Sequence, residues 1–260
     1  MEESSAEKSV VPHAEYLNKA EKVSKIWMFS FFGSMLFSIV KDINLNSDSN
    51  IVIITSILLI VFLYSTDKYI QYLKDTGEGI RRKGLLDNSF GTKFYTDESK
   101  GYYNNTDMNN DTEKLLANVH ESAFYTQEIL KSMLFKQVIF VVLWVSLLVV
   151  LSTIGLNNFS FSLNILDFFL SYVLIDKLLE MFSLKRVAEK TTDEACSYWS
   201  RKESDYMYNE KSIAEILNIT LDYETSISSV KFILNSKIKD RLNDALTKRW
   251  GEIRKRYNIK

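Results

Sequence analysis

The sequence predicts an all-α membrane protein: four transmembrane helices arranged as two hairpins, with cytosolic helical stalks and a C-terminal amphipathic helix. Three observations lead there. The stretch 137–166 contains no Asp, Glu, Lys, Arg or His. One Pro and eight Gly in 260 residues leave little turn material for a many-stranded sheet, whereas the runs of Leu, Ile, Lys, Glu and Ser suit helices. Finally, the charges are segregated along a chain whose net charge is only −1.

Residues 1–25 carry charges of both signs and lack an apolar core behind a basic start, so they read as a cytosolic N-terminal segment and not as a signal peptide. The first hairpin occupies 26–66. Its outgoing limb, 26–40, is uncharged and flanked by Lys25 and Lys41, whose stems can reach the head groups. Its returning limb, 49–66, ends among Tyr64, Asp67, Lys68, Tyr69 and Tyr72, the residue types of a membrane interface.

A cytosolic middle segment, 67–136, follows. Tyr69, Ile70, Leu73 and Ile80 continue the second span as a stalk, with Gly77, Gly79 and Gly84 expected to fray or end it. A second stalk enters the third span, with Leu116, Val119, Ala123, Phe124, Leu130 and either Met133 or Leu134 at helical spacing. Between them, 85–111 is rich in Asn, Asp, Gly and Tyr and reads as a long loop.

The second hairpin, 137–182, holds the strongest span. Residues 138–154 reach about 26 Å as a helix, and their aliphatic and Phe side chains favour insertion by about 5 kcal/mol. The returning limb, from 159, contains Asp167, and a mid-helix carboxylate costs about 3 kcal/mol against about 4 gained from its apolar neighbours. Pairing with the preceding span through the turn 155–158 would carry it in. The remainder, 183–260, is a cytosolic C-terminal helical region. A helix is expected over 176–204, a short extended or turn segment at 220–228, and a last helix over 230–257. In that helix Leu234, Ile238, Leu242, Leu246, Trp250, Ile253 and Tyr257 form one apolar stripe, able to complete the chain's own core or to pair with another subunit.

Charge sets the orientation. Of the 32 Lys and Arg, four precede the first span, ten lie between the second and third, and seventeen follow residue 175. The positive-inside rule therefore places both termini and the middle segment in the cytosol.

Composition also excludes chemistry. His13 and His120 are the only histidines and Cys196 the only cysteine, so zinc sites, Cys–His nucleophiles and internal disulfides lack parts. GEGIRRKG follows a membrane helix and does not have the spacing of a dinucleotide-binding loop, and no phosphate-binding GxxxxGK[ST] occurs. No enzyme, metal or cofactor is expected, and the charge balance gives no bias toward DNA. Asp167 either lines a pore or sits at the outer interface. Arg81, Arg82 and Lys83 form a basic cluster suited to lipid head groups or a phosphate-bearing ligand, as do Lys185 with Arg186 and the run Arg254, Lys255 and Arg256. Phe90, Phe94, Tyr95, Tyr102 and Tyr103 interleave with Asn, Asp and Gly in the middle loop, a composition able to stack on bases or to pack as a compact loop.

The strings LLDNSFGTKF at 85–94, GYYNN at 101–105 and KLLANVHESAFYTQEI at 114–129, set between two apolar hairpins, resemble the SMODS-associated four-transmembrane effector family. The resemblance covers roughly residues 20 to 185. It implies a membrane-acting arm of a bacterial anti-phage system, located in the inner membrane and triggered by a cyclic di- or oligonucleotide to form a pore or disrupt the bilayer, with growth arrest or death as the outcome. Its partners would be the lipid bilayer, further copies of the chain and the nucleotide. On matching positions it picks out Asp87, Ser89, Phe90 and Gly91; Gly101, Tyr102, Tyr103 and Asn104; and Asn118, Glu121, Ser122 and Phe124, without assigning their roles: they are candidates to sense the ligand or transmit its binding, or equally to hold the stalks together. The alternative is a membrane-anchored receptor or scaffold that recruits a cytosolic protein through the 230–257 stripe.

Overall fold

A computed structural model of the chain describes residues 11–44, 50–96, 102–103, 105–153, 175–203 and 209–260. Among the described residues there are six α-helices and no strand: α1 (Pro12–Asn44), α2 (Asn50–Phe90), α3 (Thr112–Thr153), α4 (Asp176–Glu203), α5 (Glu210–Ser229) and α6 (Ser236–Arg256).

The first three helices each change environment along their length. In α2, Ile51, Ile53, Ile54, Ile57, Leu58, Ile60 and Val61 are exposed, whereas Ile70, Leu73, Lys74, Glu78, Ile80, Arg81 and Leu85 are buried. The stretch Ile53–Phe90 is long and apolar enough to cross a membrane by length and composition, and only 6% of its apolar window is buried by the rest of the chain. An apolar surface of this size left uncovered by its own fold is suited to lipid. In α3, Phe135, Val138, Ile139, Val142 and Leu143 are likewise exposed beyond a buried first half. The turn expected at 155–158 and most of the fourth span expected at 159–182, Asp167 included, lie outside the described residues.

Helices α1 and α2 run antiparallel. Trp27 Nε1 donates to the carbonyl oxygen of Leu63 at 3.0 Å near one end, and Leu17 packs on Gly77 near the other. A Cβ at Gly77 would lie 2.9 Å from Leu17 Cδ2. Gly77, expected to fray or end the stalk, instead admits the neighbouring helix, and burial against it outweighs its helix-propensity cost of about 1 kcal/mol. Residues 85–90, expected as loop, are the last turns of α2.

The helix stops where its chemistry changes. Gly91 takes φ +67°, a left-handed conformation natural for glycine just past a helix end, and its N–H donates to the carbonyl oxygen of Asp87 at 2.8 Å. The Asp87 carboxylate accepts from Thr92 Oγ1 at 2.7 Å, Phe94 N at 2.7 Å and Tyr95 N at 3.0 Å, pinning the departing chain.

Helix α3 is the axis of the helical head, the part of the chain formed by the buried ends of the long helices with α4, α5 and α6. Every residue from Lys114 to Glu121 is buried, because α2, α4, α5 and α6 surround it. One apolar cluster joins Leu115, Val119, Leu130 and Leu134 of α3 to Met181 and Leu184 of α4 and to Tyr223 and Ile227 of α5. The other joins Leu116 and Phe124 to Tyr198 and Trp199 of α4, Ile216 and Ile219 of α5, and Leu246 and Trp250 of α6.

Two further expectations are corrected. Residues 220–228, rich in Thr, Ser and Ile, are helical within α5, because Ile216, Ile219, Thr220, Tyr223 and Ile227 make one buried face at helical spacing, and packing overrides weak propensity. Asn209 caps that helix, accepting from Lys211 N at 2.9 Å and Ser212 N at 3.2 Å. The last helix begins at Ser236 and not near 230, since Asn235 caps it by accepting from Ile238 N at 3.0 Å, while Val230 and Phe232 insert into the core ahead of it. Its stripe packs within its own chain, with Ile238, Leu246 and Trp250 buried.

Candidate functional site

A cavity of about 570 Å³ lies in the head, within the range that holds a small organic ligand. Each wall comes from a different element. His13, Ala14, Leu17, Asn18 and Glu21 form one face of α1. Lys74, Glu78 and Arg81 come from α2, Tyr102 and Tyr103 from the middle loop, and Glu121, Ser122, Tyr125, Thr126 and Ile129 from α3. Tyr223 and Ile227 of α5, the segment from Val230 to Leu234, and Lys239, Asp240, Asn243 and Thr247 of α6 close it.

Aromatic rings dominate one side. Tyr102 stands edge-on to His13, with centroids 4.7 Å apart, and edge-on to Tyr103, also at 4.7 Å. Lys239 Nζ lies 5.1 Å from the Tyr102 centroid, within cation–π range. The hydroxyls of Thr126 and Tyr223 share a hydrogen bond at 2.9 Å, and those of Tyr125 and Thr247 one at 2.8 Å. Among the described residues, Tyr103 Oη and His13 Nδ1 are buried without a hydrogen-bond partner.

The floor is an ion cluster. Arg81 Nε donates to Glu78 Oε2 at 2.7 Å, and its two terminal nitrogens grip Glu224 at 3.0 and 2.6 Å. Burial alone would lower the Arg81 pKa, but Glu224 and Glu78 hold it well above the usual arginine value. Lys74 donates to the carbonyl oxygens of Ser228 at 3.1 Å and Ile227 at 3.5 Å, and burial pulls its pKa down. Burial, aided by Arg81 and Lys239, pulls the His13 pKa down to about 3, so the imidazole is neutral at pH 7. Burial also pushes Tyr102 up to about 12 and raises Tyr103, keeping both as phenols.

Behind the cavity, amides brace the loop. Asn105 Nδ2 donates to Asn118 Oδ1 at 3.0 Å and to Glu121 Oε2 at 2.9 Å. Asn118 Nδ2 reaches Asn88 Oδ1 at 2.9 Å and Ser89 Oγ at 3.0 Å. Trp250 Nε1 donates to Asn105 Oδ1 at 3.3 Å. This network holds the end of α2, the loop, α3 and α6 in fixed relation.

The residues singled out in the sequence thus separate by location. Arg81, Tyr102, Tyr103, Glu121 and Ser122 meet at the cavity. Asp87, Ser89 and Gly91 shape the α2 terminus, Asn118 bridges it to α3, and Phe124 is buried in the second apolar cluster with Arg249 over its ring. Phe90, Arg82 and Lys83 are exposed. Gly101, Asn104 and Asp167 lie outside the described residues. Arg81 is therefore not a free phosphate fork, because two carboxylates occupy it. Sequence reasoning passed over His13, Glu21, Tyr223 and Lys239, which carry no motif; for Tyr223, the helical spacing with Ile216, Ile219 and Ile227 was the available signal. Among the described residues, no group of three His, Cys, Asp or Glu is placed to hold a metal ion. No protein-family model matches the chain, and no curated protein or solved structure is significantly similar to it.

Proposed function

We propose that the chain is a non-enzymatic effector of the bacterial inner membrane, in which a cyclic nucleotide signal entering the cytosolic cavity drives the apolar helices to open or disrupt the bilayer, arresting or killing the cell as an anti-phage response. The observation that carries this reading is continuity. Helices α1, α2 and α3 each run unbroken from a cavity wall into an apolar stretch: from His13–Glu21 to 26–40, from Arg81 and Lys74 back to 51–64, and from Glu121–Ile129 on to 138–153. A ligand that changes the spacing of these walls acts directly on all three helices, since packed helices move as rigid bodies. The nucleotide and the defence setting come from the family resemblance. In this reading four spans form two hairpins with both termini cytosolic, and copies of the chain assemble in the membrane, with Asp167 as the pore candidate.

The scaffold alternative depended on the 230–257 stripe as a docking face. Ile238, Leu246 and Trp250 of that stripe are buried in their own chain, and Leu242, Ile253 and Tyr257 pack partly against the same cluster, which leaves less of that surface for a partner. The effector reading is tested by expressing the chain in bacteria with and without an enzyme that makes cyclic dinucleotides while following membrane potential with a dye. Depolarisation only when both are present supports it; unchanged potential across a panel of such enzymes overturns it.

A further inference from the structure

The cavity's polar atoms are not equally engaged. Arg81 is held by two carboxylates, Lys74 by backbone carbonyls, Tyr223 by Thr126 and Tyr125 by Thr247. Tyr103 and His13 differ: they are 4% and 3% exposed, both line the cavity, and no described residue hydrogen-bonds Tyr103 Oη or His13 Nδ1. Buried polar groups in folded proteins are nearly always paired, so two orphans that line the same cavity point to a partner inside it. They flank one ring, since each lies 4.7 Å from Tyr102.

The chemistry of the pair narrows the ligand. A phenol is both donor and acceptor, and the neutral imidazole offers a donor or an acceptor at Nδ1 according to tautomer. Together they complement the edge of a ring with neighbouring ring-nitrogen, amino or carbonyl groups. The tyrosines around them supply apolar faces and edges for a flat ring, a mode of contact open to any aromatic heterocycle. A fatty chain would leave both polar atoms unsatisfied. Phosphate is not the principal handle, because the carboxylates of Glu21, Glu78, Glu121 and Asp240 line the same cavity and Arg81 is already engaged. Lys239, beside Tyr102 and with no salt bridge among the described residues, is the one site on this wall for a ligand's acidic group.

Building on the reading of the cavity as the signal-binding site, we infer that it selects its ligand by a nucleobase or similar flat nitrogen heterocycle, inserted beside Tyr102 and read along its edge by Tyr103 and His13, with Lys239 meeting one anionic group. The ring can belong to a nucleoside or to a cyclic dinucleotide, and the experiment separates the two.

Titration calorimetry on the full chain in detergent would use the four common ribonucleosides, their 5′-monophosphates, cyclic di-AMP, cyclic di-GMP and ribose 5-phosphate. At least one base-bearing probe binds and ribose 5-phosphate does not. Binding by a monophosphate but not its nucleoside identifies the anionic group, and Lys239→Ala removes that preference. Tyr103→Phe weakens the bound probe about tenfold, the loss of one hydrogen bond to the ligand. The same change leaves the melting temperature of the ligand-free protein equal or higher, because it deletes an unpaired buried hydroxyl. Failure of every base-bearing probe, equal binding of ribose 5-phosphate, undiminished binding by Tyr103→Phe, or a lower melting temperature in that variant overturns the inference. Base-dependent binding with no permeability change would keep this inference and sink the effector reading, and permeability triggered by a cyclic dinucleotide with equal potency in the parent and in Tyr103→Phe would do the reverse.

Discussion

Arg81 is gripped by two carboxylates in the head, so its removal alone is costly. Its guanidinium, with the Arg81 residue only 4% exposed, lies between Glu78 and Glu224 and joins α2 to α5. Arg81→Met leaves two buried carboxylates facing each other and costs about 3–5 kcal/mol, readable by denaturant unfolding in detergent, whereas replacing all three residues by apolar ones of similar volume costs far less. The histidines set an acid limit. Burial pulls both His13 and His120 down to about 3 from an ordinary value near 6.5. The unfolded chain then binds protons that the folded chain refuses, so this stability is complete above about pH 6.5 and is lost as pH falls toward 3. At pH 5 each histidine has cost about 2 kcal/mol. Thermal melts between pH 7 and pH 5 measure the slope, and the double variant His13→Gln/His120→Gln flattens it. Gly91→Ala is strained at φ +67° and meets Asn110 Nδ2 at 2.7 Å, so it destabilises by about 1–2 kcal/mol in the same assay.

Among the elements, the long helices are legible where burial follows composition and illegible where contacts decide. The helical spacing of Leu116, Val119, Ala123 and Leu130 announces α3, and those residues are its core face. The end of α2 is different. Three glycines argue locally for an early stop, yet the helix continues to Phe90 because Gly77 receives Leu17 from a segment sixty residues away, a contact no local window contains. In α5 the β-branched residues point to an extended segment until Tyr223 and Ile227 are seen to meet α3 and α4. At this scale the effector reading makes a mechanical prediction. Helix α1 passes from Glu21, whose carboxylate accepts from Ser236 N at 3.1 Å, straight into the apolar stretch beginning at Ile26. Val23→Gly with Ser24→Gly places a soft joint between the two, weakening the helix by about 1 kcal/mol per substitution. Calorimetry on that variant should show ligand affinity within about twofold of the parent, while ligand-induced dye release from proteoliposomes falls sharply.

On the scale of the whole molecule, the sequence conveys the segregation of exposed apolar stretches from the charged, packed head better than it conveys the cavity. Charge distribution and apolar runs are one-dimensional quantities and survive in the composition of each segment. The cavity does not, since its walls come from α1, α2, the middle loop, α3, α5 and α6, and become neighbours only when α3 is surrounded. Tyr102, Tyr103, Glu121 and Ser122 stand in the resembling strings and Arg81 in a basic cluster. His13 lay in a segment with no pattern of its own, and Lys239 on the polar face of a helix where lysine is ordinary. Coupling of that cavity to the membrane is what an effector of this kind requires. Dye release from proteoliposomes carrying the purified chain, titrated with the base-bearing probe that binds it, tests this most directly. Release half-maximal near the dissociation constant of the probe and saturating above it, with a parallel shift of both curves in Tyr103→Phe, is the expected result. Release that ignores the probe, or none at saturating probe, would contradict it.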